Sequence, residues 1–253
     1  MSLTLAYLAR IDYALPTNST TLARQFFAAY DQFPAGIPHD LVVVIKSTLG
    51  LGSQVPLTPR TQFIALMAAE IKDLAVARGA SVHYHPDLGF DLGSYRRVAE
   101  TVATGHCCFL NSYSRPRSAD WLRKLYEPHL QPDVALTGAT GSMEVRRHIR
   151  TNAFCMLRER YLSTVRTEPN SKQECQALEH GPHSLTMQIE KAGLRTLVVG
   201  DHGTFPIETL ADQRVYRSSG QEALLVADNQ TDRYQTGAVA YRTLLRVEAW
   251  GRP

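Results

Sequence analysis

Glu179 and His180 stand side by side, with His183 three residues on and His202 after the next apolar run. A glutamate in such company can act as a general base if it faces a cleft and its neighbours tune its pKa. A glutamate at a helix start also simply favours the macrodipole. His83, His85, Asp87 and Asp91 have metal-ligating side chains, but their spacing is scattered and satisfied surface histidines fit it better. The run Gly138-Ala139-Thr140-Gly141-Ser142 is not followed by an apolar helix. It reads as a loop allowing close ligand approach or as a tight turn. Arg146-Arg147-His148-Ile149-Arg150 could hold a phosphate or be a solvated loop. Asn111-Ser112-Tyr113-Ser114 is a polar turn without a carboxylate, placed directly after an apolar run. No phosphate-binding loop, dinucleotide fingerprint, nucleophile elbow or H-E-x-x-H zinc motif occurs.

These residues need elements to hold them. Apolar runs over residues 3–9, 40–47, 81–85, 106–110, 133–137, 153–157 and 195–199 predict strands. Helical spacing predicts helices ending near Tyr30 and Arg78, and over 92–104, 118–130 and 181–192. Asn18 or Ser19 is expected to cap the first, and Thr58-Pro59 to open the second. Strands alternating with helices imply an α/β fold, a mainly parallel sheet covered on both faces. Ligands then bind beyond the carboxyl ends of the strands. The segments there include Arg10 to Tyr13, Lys46 to Thr48, Pro86 to Asp91, Asn111 to Arg115 and Asp201 to Gly203. The last forty residues lack strong periodicity, and residues 205–253 are expected to be an irregular extension. Residues 227–234 read as a surface turn or as a lid over a ligand.

At 253 residues, 44% hydrophobic and 20% charged, the chain can bury the core of one domain, expected over 1–253. A net charge of +3, from 27 basic and 24 acidic residues, is too small to argue for a nucleic-acid partner. Cys107 and Cys108 are adjacent in an apolar strand, so they face opposite ways, and four cysteines without metal spacing read as packing thiols. The sequence has neither a signal-peptide pattern nor an apolar run approaching the ~20 residues of a membrane span. A cytoplasmic protein is expected, with peripheral contact at the inner face of a membrane left open.

From Phe90 to about Val199 the order of parts resembles the GT-A fold of family 2-type glycosyltransferases. Helix Tyr95–Thr104 and strand Cys107–Leu110 lead to Asn111-Ser112-Tyr113, then Pro116 and Trp121-Leu122. Glu179-His180 precedes Ser184-Leu185-Thr186, then Glu190-Lys191-Ala192-Gly193 and Leu197-Val198-Val199. Gly89 to Tyr95 also resembles a segment of rhamnan-synthesis-type transferases.

The resemblance implies a single GT-A-like, Rossmann-like domain that transfers a sugar, with inversion, from a nucleotide-diphosphate sugar. The acceptor would be a saccharide or lipid-linked saccharide in surface or secreted polysaccharide assembly. In that scheme Arg10, Asp12 and Asp91 contact the nucleotide, and Asn111, Ser112 and Tyr113 fill the place of the family's Asp-x-Asp turn. Glu179 is the expected base, with His180 as its rival. Gly141, His148 and Asn152 line the acceptor side, and His202 reaches the diphosphate or a metal. The departures bear on the metal. Mg²⁺ and Mn²⁺ prefer carboxylate oxygens, so Asn-Ser-Tyr puts a divalent cofactor in question. Arg10, Arg115 or the 146–150 cluster would then meet the phosphate charge. The alternative is a catalytically inactive GT-A-like scaffold or partner-binding module.

Overall fold

The computed structural model describes residues 2–12, 16–48 and 58–251. Strand β1 (Leu3–Arg10) is buried along all but its last residue, and β2 (Asp40–Ser47) along all but its first. Unbroken aliphatic runs of this kind suit strands covered on both faces. Helix α1 (Pro16–Gln32) joins them. It begins before the expected caps. Ser19 instead accepts a hydrogen bond from the Asp12 backbone N–H (3.0 Å), and the Asn18 side chain lies outside the described set.

Helix α2 (Pro59–Val76) starts as its sequence predicts. Thr58 and Thr61 form a reciprocal capping box, and Pro59 occupies the first turn, where no N–H is needed. Then follow β3 (Ser81–Pro86), α3 (Phe90–Thr101), β4 (His106–Leu110), the short β5 (Arg115–Pro116) and α4 (Trp121–Tyr126). A 3₁₀ turn (Glu127–Leu130) completes the helix expected over 118–130. Beyond it come β6 (Val134–Gly138), a small hairpin of β7 (Gly141–Ser142) and β8 (His148–Ile149), and β9 (Ala153–Leu157). Helices α5 (Arg158–Thr164), α6 (Lys172–His180) and α7 (Leu185–Lys191) precede β10 (Arg195–Gly200) and β11 (Gly203–Phe205). The chain closes with β12 (Val226–Ala227), α8 (Asn229–Thr236) and α9 (Val239–Trp250).

Eight strands form one sheet in the order β11-β10-β6-β9-β4-β1-β2-β3. Strands β3, β2, β1 and β4 are mutually parallel, as are β6 and β10, while β9 runs against both β4 and β6. The sheet is therefore mixed but mostly parallel. Alternation divides the core between its faces. Ala6, Leu8, Cys107 and Phe109 pack with Tyr95 of α3 and Tyr161 of α5. Leu5, Tyr7 and Cys108 pack with Phe26 of α1, Ile64 of α2 and Trp121 of α4. Cys107 and Cys108 do face opposite ways, and the four cysteines are unpaired, buried thiols.

Two further expectations fail. Glu179 and His180 end α6 instead of preceding a helix over 181–192, and the next helix starts only at Leu185. The final residues hold two helices, not an irregular extension. In α9 apolar side chains occupy both faces: Leu245, Ala249 and Trp250 are buried, while Val239, Leu244 and Val247 are exposed, which blurs the period. Among the described residues no helix is long and apolar enough to cross a membrane.

Candidate functional site

From β1 the chain builds outward through β2 and β3, then returns to place β4 on the other side of β1. Loops leaving β1 and β4 diverge at this switch point and leave a crevice at their carboxyl ends. Arg10 and Asp12 leave β1 there, and the turn 111–113 leaves β4. Because β9 is antiparallel, its first residues arrive at the same edge. The Asn111 N–H donates to the Asn152 carbonyl at 2.9 Å, joining the two approaches.

A cavity of about 150 Å³ opens at the switch point, walled by Arg10, Asp12, Asp91 and the turn Asn111-Ser112-Tyr113, with α1 along one side. The turn is built by its own side chains. Asn111 Oδ1 accepts from the Tyr113 N–H (3.1 Å) and lies 2.9 Å from the Ser114 hydroxyl. Ser112 Oγ accepts from the Arg10 N–H (3.1 Å), and the Ser112 carbonyl accepts from the Tyr7 hydroxyl (3.1 Å). A backbone donor fixes which end of the Asn111 amide is oxygen, so its NH₂ is the end left for a ligand. Arg10 grips both oxygens of Asp87, each at 3.1 Å.

Asp91 is presented by a strained turn. Gly89 (φ 70°) and Phe90 (φ 52°) are consecutive left-handed residues, and for Phe90 this conformation is costly. Lys46, almost fully buried at the end of β2, holds it by donating from Nζ to the Phe90 carbonyl (2.5 Å), with Asp87 Oδ1 at 3.6 Å. Burial lowers the Lys46 pKa, against the pull of Asp91 and Asp87. Burial raises that of Asp91, and Lys46 and Arg10 oppose the rise.

A second cavity, about 300 Å³, shares Asp91, Asn111 and Tyr113 with the first. Its further walls are Glu179 and His180 from the end of α6, His148, the segment before β9, and Asp228 to Gln230. Glu179 Oε1 accepts from the Thr151 hydroxyl at 2.8 Å. Burial raises the Glu179 pKa, and the Thr151 bond works against it. His148 Nδ1 lies 2.7 Å from the Arg146 carbonyl, which fixes the Nδ1–H tautomer and leaves Nε2 as an acceptor. Burial lowers its pKa to about 4. Its ring centroid is 5.7 Å from that of His180.

Other residues singled out by the sequence lie elsewhere. Gly141 is packed inside: a Cβ there would fall 2.9 Å from Val198 and 3.1 Å from Leu210, so its glycine serves packing and not ligand approach. His202 is exposed in the β10–β11 turn, 3.6 Å from Asp201, and lines neither cavity. His85, expected at the surface, is buried. Arg115 pairs with Asp232, Arg147 with Glu190 and Glu208, and Arg150 with Asp228, so these guanidinium groups already have carboxylate partners. Thr151 has no signal of its own in the sequence, Asp87 stands there only in a scattered metal-ligating set, and Asp228 only within the polar stretch 227–234. The D-x-x-T pattern of Asp228 and Thr231, which forms a capping box on α8, is a further signal.

The donor atoms fit a divalent cation poorly. Among the described residues no three His, Cys, Asp or Glu side chains gather to hold one. At the turn, Asn111 Oδ1 is engaged by Tyr113 and Ser112 Oγ by Arg10, leaving an N–H donor where a cation needs oxygen.

No protein-family model and no curated protein matches the chain. Among solved structures, a mannosyltransferase from Pyrobaculum calidifontis in complex with GDP-Man and Mn²⁺ is similar, with a TM-score of 0.50 at 10% identity. The match covers 77% of this chain and 53% of that one, so the chain spans about half the length of the mannosyltransferase. A cytidylyltransferase from Leptospira borgpetersenii serovar Hardjo-bovis also gives 0.50, at 9% identity, over 81% of this chain and 76% of that one. At such identities the likeness is one of fold. The chain has the Rossmann-like α/β architecture found in glycosyltransferase and nucleotidyltransferase domains.

Proposed function

We propose that the chain is a GT-A-type, family 2-like glycosyltransferase that moves a sugar from a nucleotide-diphosphate sugar to a saccharide or lipid-linked saccharide hydroxyl. The supporting observation is the pair of cavities meeting at Asp91, Asn111 and Tyr113, with Glu179, a half-buried carboxylate of raised pKa, lining the larger one alone. The smaller cavity takes the nucleotide. Asp91 and Asp12 hydrogen-bond ribose or base, the Asn111 amide donates to the sugar or diphosphate, and Arg10 is drawn from Asp87 toward phosphate.

Glu179 serves as base in the larger cavity. It removes the acceptor hydroxyl's proton as that oxygen bonds to the anomeric carbon, and the nucleotide diphosphate leaves from the opposite face, giving inversion. A raised pKa suits this role, because a carboxylate nearer the working pH is the stronger base. No step is assigned to a metal, since the side-chain oxygens of Asn111 and Ser112 at the turn already accept hydrogen bonds. Polysaccharide assembly is the setting that the sequence resemblance suggests.

The test is donor hydrolysis and transfer with Mn²⁺ or with EDTA present. Turnover that survives EDTA supports the reading. Absence of turnover under both conditions, across uridine, guanosine, thymidine and cytidine diphosphate sugars, favours the inactive scaffold. The observation on that side is that Arg10 and Arg150 are already paired with carboxylates.

A further inference from the structure

Asn152 is 3% exposed and lines the larger cavity, yet its Nδ2 has no hydrogen-bond partner among the described residues. Turning the amide over would leave the Thr140 hydroxyl proton without the Oδ1 acceptor that it has here. The Thr140 hydroxyl receives a hydrogen bond from Arg150 Nη1 (3.2 Å) and donates to Asn152 Oδ1 (2.7 Å). Arg150 is itself fixed. Its Nη2 donates to Asp228 Oδ2 at 2.8 Å, and its guanidinium carbon lies 4.4 Å from the centroid of the Tyr216 ring. The relay from Asp228, the cap of α8, therefore favours the orientation in which Asn152 Oδ1 accepts from Thr140. Its buried N–H donors are left wanting an oxygen, which is an unfavourable state that a ligand relieves.

Charge restricts which ligand. Asp91, Glu144, Glu179 and Asp228 border the cavity against one arginine, and that arginine is already paired with Asp228. His148 adds no positive charge near neutral pH, because burial holds its pKa at about 4. A phosphate or carboxylate placed here would meet surplus negative charge. A hydroxyl meets both demands, since it accepts from Asn152 while donating to Glu179 or to Nε2 of His148.

We infer that Asn152 is a specificity-determining residue of the acceptor side, and that the unit bound there is an uncharged polyhydroxyl group, not a phosphorylated or carboxylated one. The word acceptor rests on the transferase reading, but the binding does not require the donor. The two are therefore tested apart.

The experiment is calorimetry and saturation-transfer NMR on the full chain without nucleotide. The probes are neutral methyl hexopyranosides, each with its 6-phosphate, its uronate and its amino-sugar counterpart. At least one neutral glycoside is expected to bind, with each charged counterpart at least tenfold weaker. Asn152→Asp, which trades the donor for an acceptor, should weaken the neutral sugar at least tenfold and alter nucleotide-diphosphate affinity less than twofold. Glu144→Lys, at an exposed position, keeps the test usable if the buried variant fails to fold, and it should raise affinity for the 6-phosphate. Equal or tighter binding of a charged counterpart overturns the inference. So do an Asn152→Asp protein that binds the neutral sugar unchanged, a Glu144→Lys protein with no gain for the phosphate, and a panel in which no sugar binds. If sugars bind as expected while no nucleotide diphosphate does, the inference stands and the transferase reading falls.

Discussion

The Thr151 hydroxyl donates to Oε1 of Glu179 across 2.8 Å, linking the approach to β9 with the last turn of α6. The bond joins elements 28 residues apart and orients the carboxylate against the cavity that holds His148 and Asn152. It also favours the ionised form, opposing the burial that raises the Glu179 pKa. Two substitutions separate these effects. Glu179→Gln should keep donor affinity and lose transfer by about 10²–10⁴-fold, the usual contribution of a general base. Thr151→Val should keep the base but raise its pKa further, so the acid limb of kcat/KM moves to higher pH. An acid limb that stays in place would show that the hydroxyl does not act on Glu179.

Asn111 is the natural place to ask for a metal. Its Oδ1 holds the turn by accepting from the Tyr113 N–H, and an aspartate oxygen can do the same. Asn111→Asp should therefore fold, exchange the free NH₂ for a second carboxylate oxygen, and make donor binding respond to Mn²⁺. The check is donor affinity with Mn²⁺ and with EDTA. Parent affinity should be indifferent to the change and the variant's should not.

Asp228 carries two loads at once. One oxygen caps α8 by accepting from the Gln230 and Thr231 N–H groups, and the other pairs with the partly buried Arg150. Asp228→Ala leaves a partly buried guanidinium without its carboxylate and should cost up to about 3 kcal/mol. Asp228→Asn keeps an oxygen for the cap and should cost less. Urea denaturation at fixed pH reads both, and equal losses would mean that the cap contributes little.

Acid should weaken the fold through its histidines. His85 and His148 are buried, and burial lowers each pKa to about 4. Between pH 6.5 and about 4 the unfolded chain binds protons that the folded histidines refuse, so stability falls as pH drops through that window. The loss is on the order of 1–3 kcal/mol per histidine. Glu179 and Asp91, with raised pKa values, act in the opposite sense: their contribution is fully present at low pH and lost as pH rises through their folded values. Denaturation midpoints at pH 7 and pH 4.5 give the net slope, and His148→Gln should flatten it.

Much of the frame was legible in the residues. Runs such as Asp40–Ser47 are apolar enough to name a buried strand, and Thr58-Pro59 announces a helix start by its capping chemistry. Residues 111–113 could be set beside Arg10 and Asp91 because strand ends in such a sheet converge at the switch point. What stayed hidden depends on partners distant in sequence. Whether an arginine is available for phosphate depends on whether an acid stands opposite it, and the pairs Arg115–Asp232 and Arg150–Asp228 span more than seventy residues. Gly141 looked like a ligand loop because a glycine that makes room for Val198 is written with the same letter. Helices α6 and α8 were invisible for want of an apolar stripe: one buries Cys175, the other Thr231 and Tyr234.

On the proposed reading, the cavity at the ends of β1 and β4 holds the nucleotide of a sugar donor. Calorimetric titration with uridine, guanosine, thymidine and cytidine diphosphates, in EDTA, tests it on the parent chain and on Asp91→Asn. One nucleotide should bind the parent with a low micromolar to millimolar Kd, and Asp91→Asn should weaken it at least tenfold while the fold is kept. No heat with any of the four, or binding that Asp91→Asn leaves unchanged, would rule out nucleotide binding at this cavity.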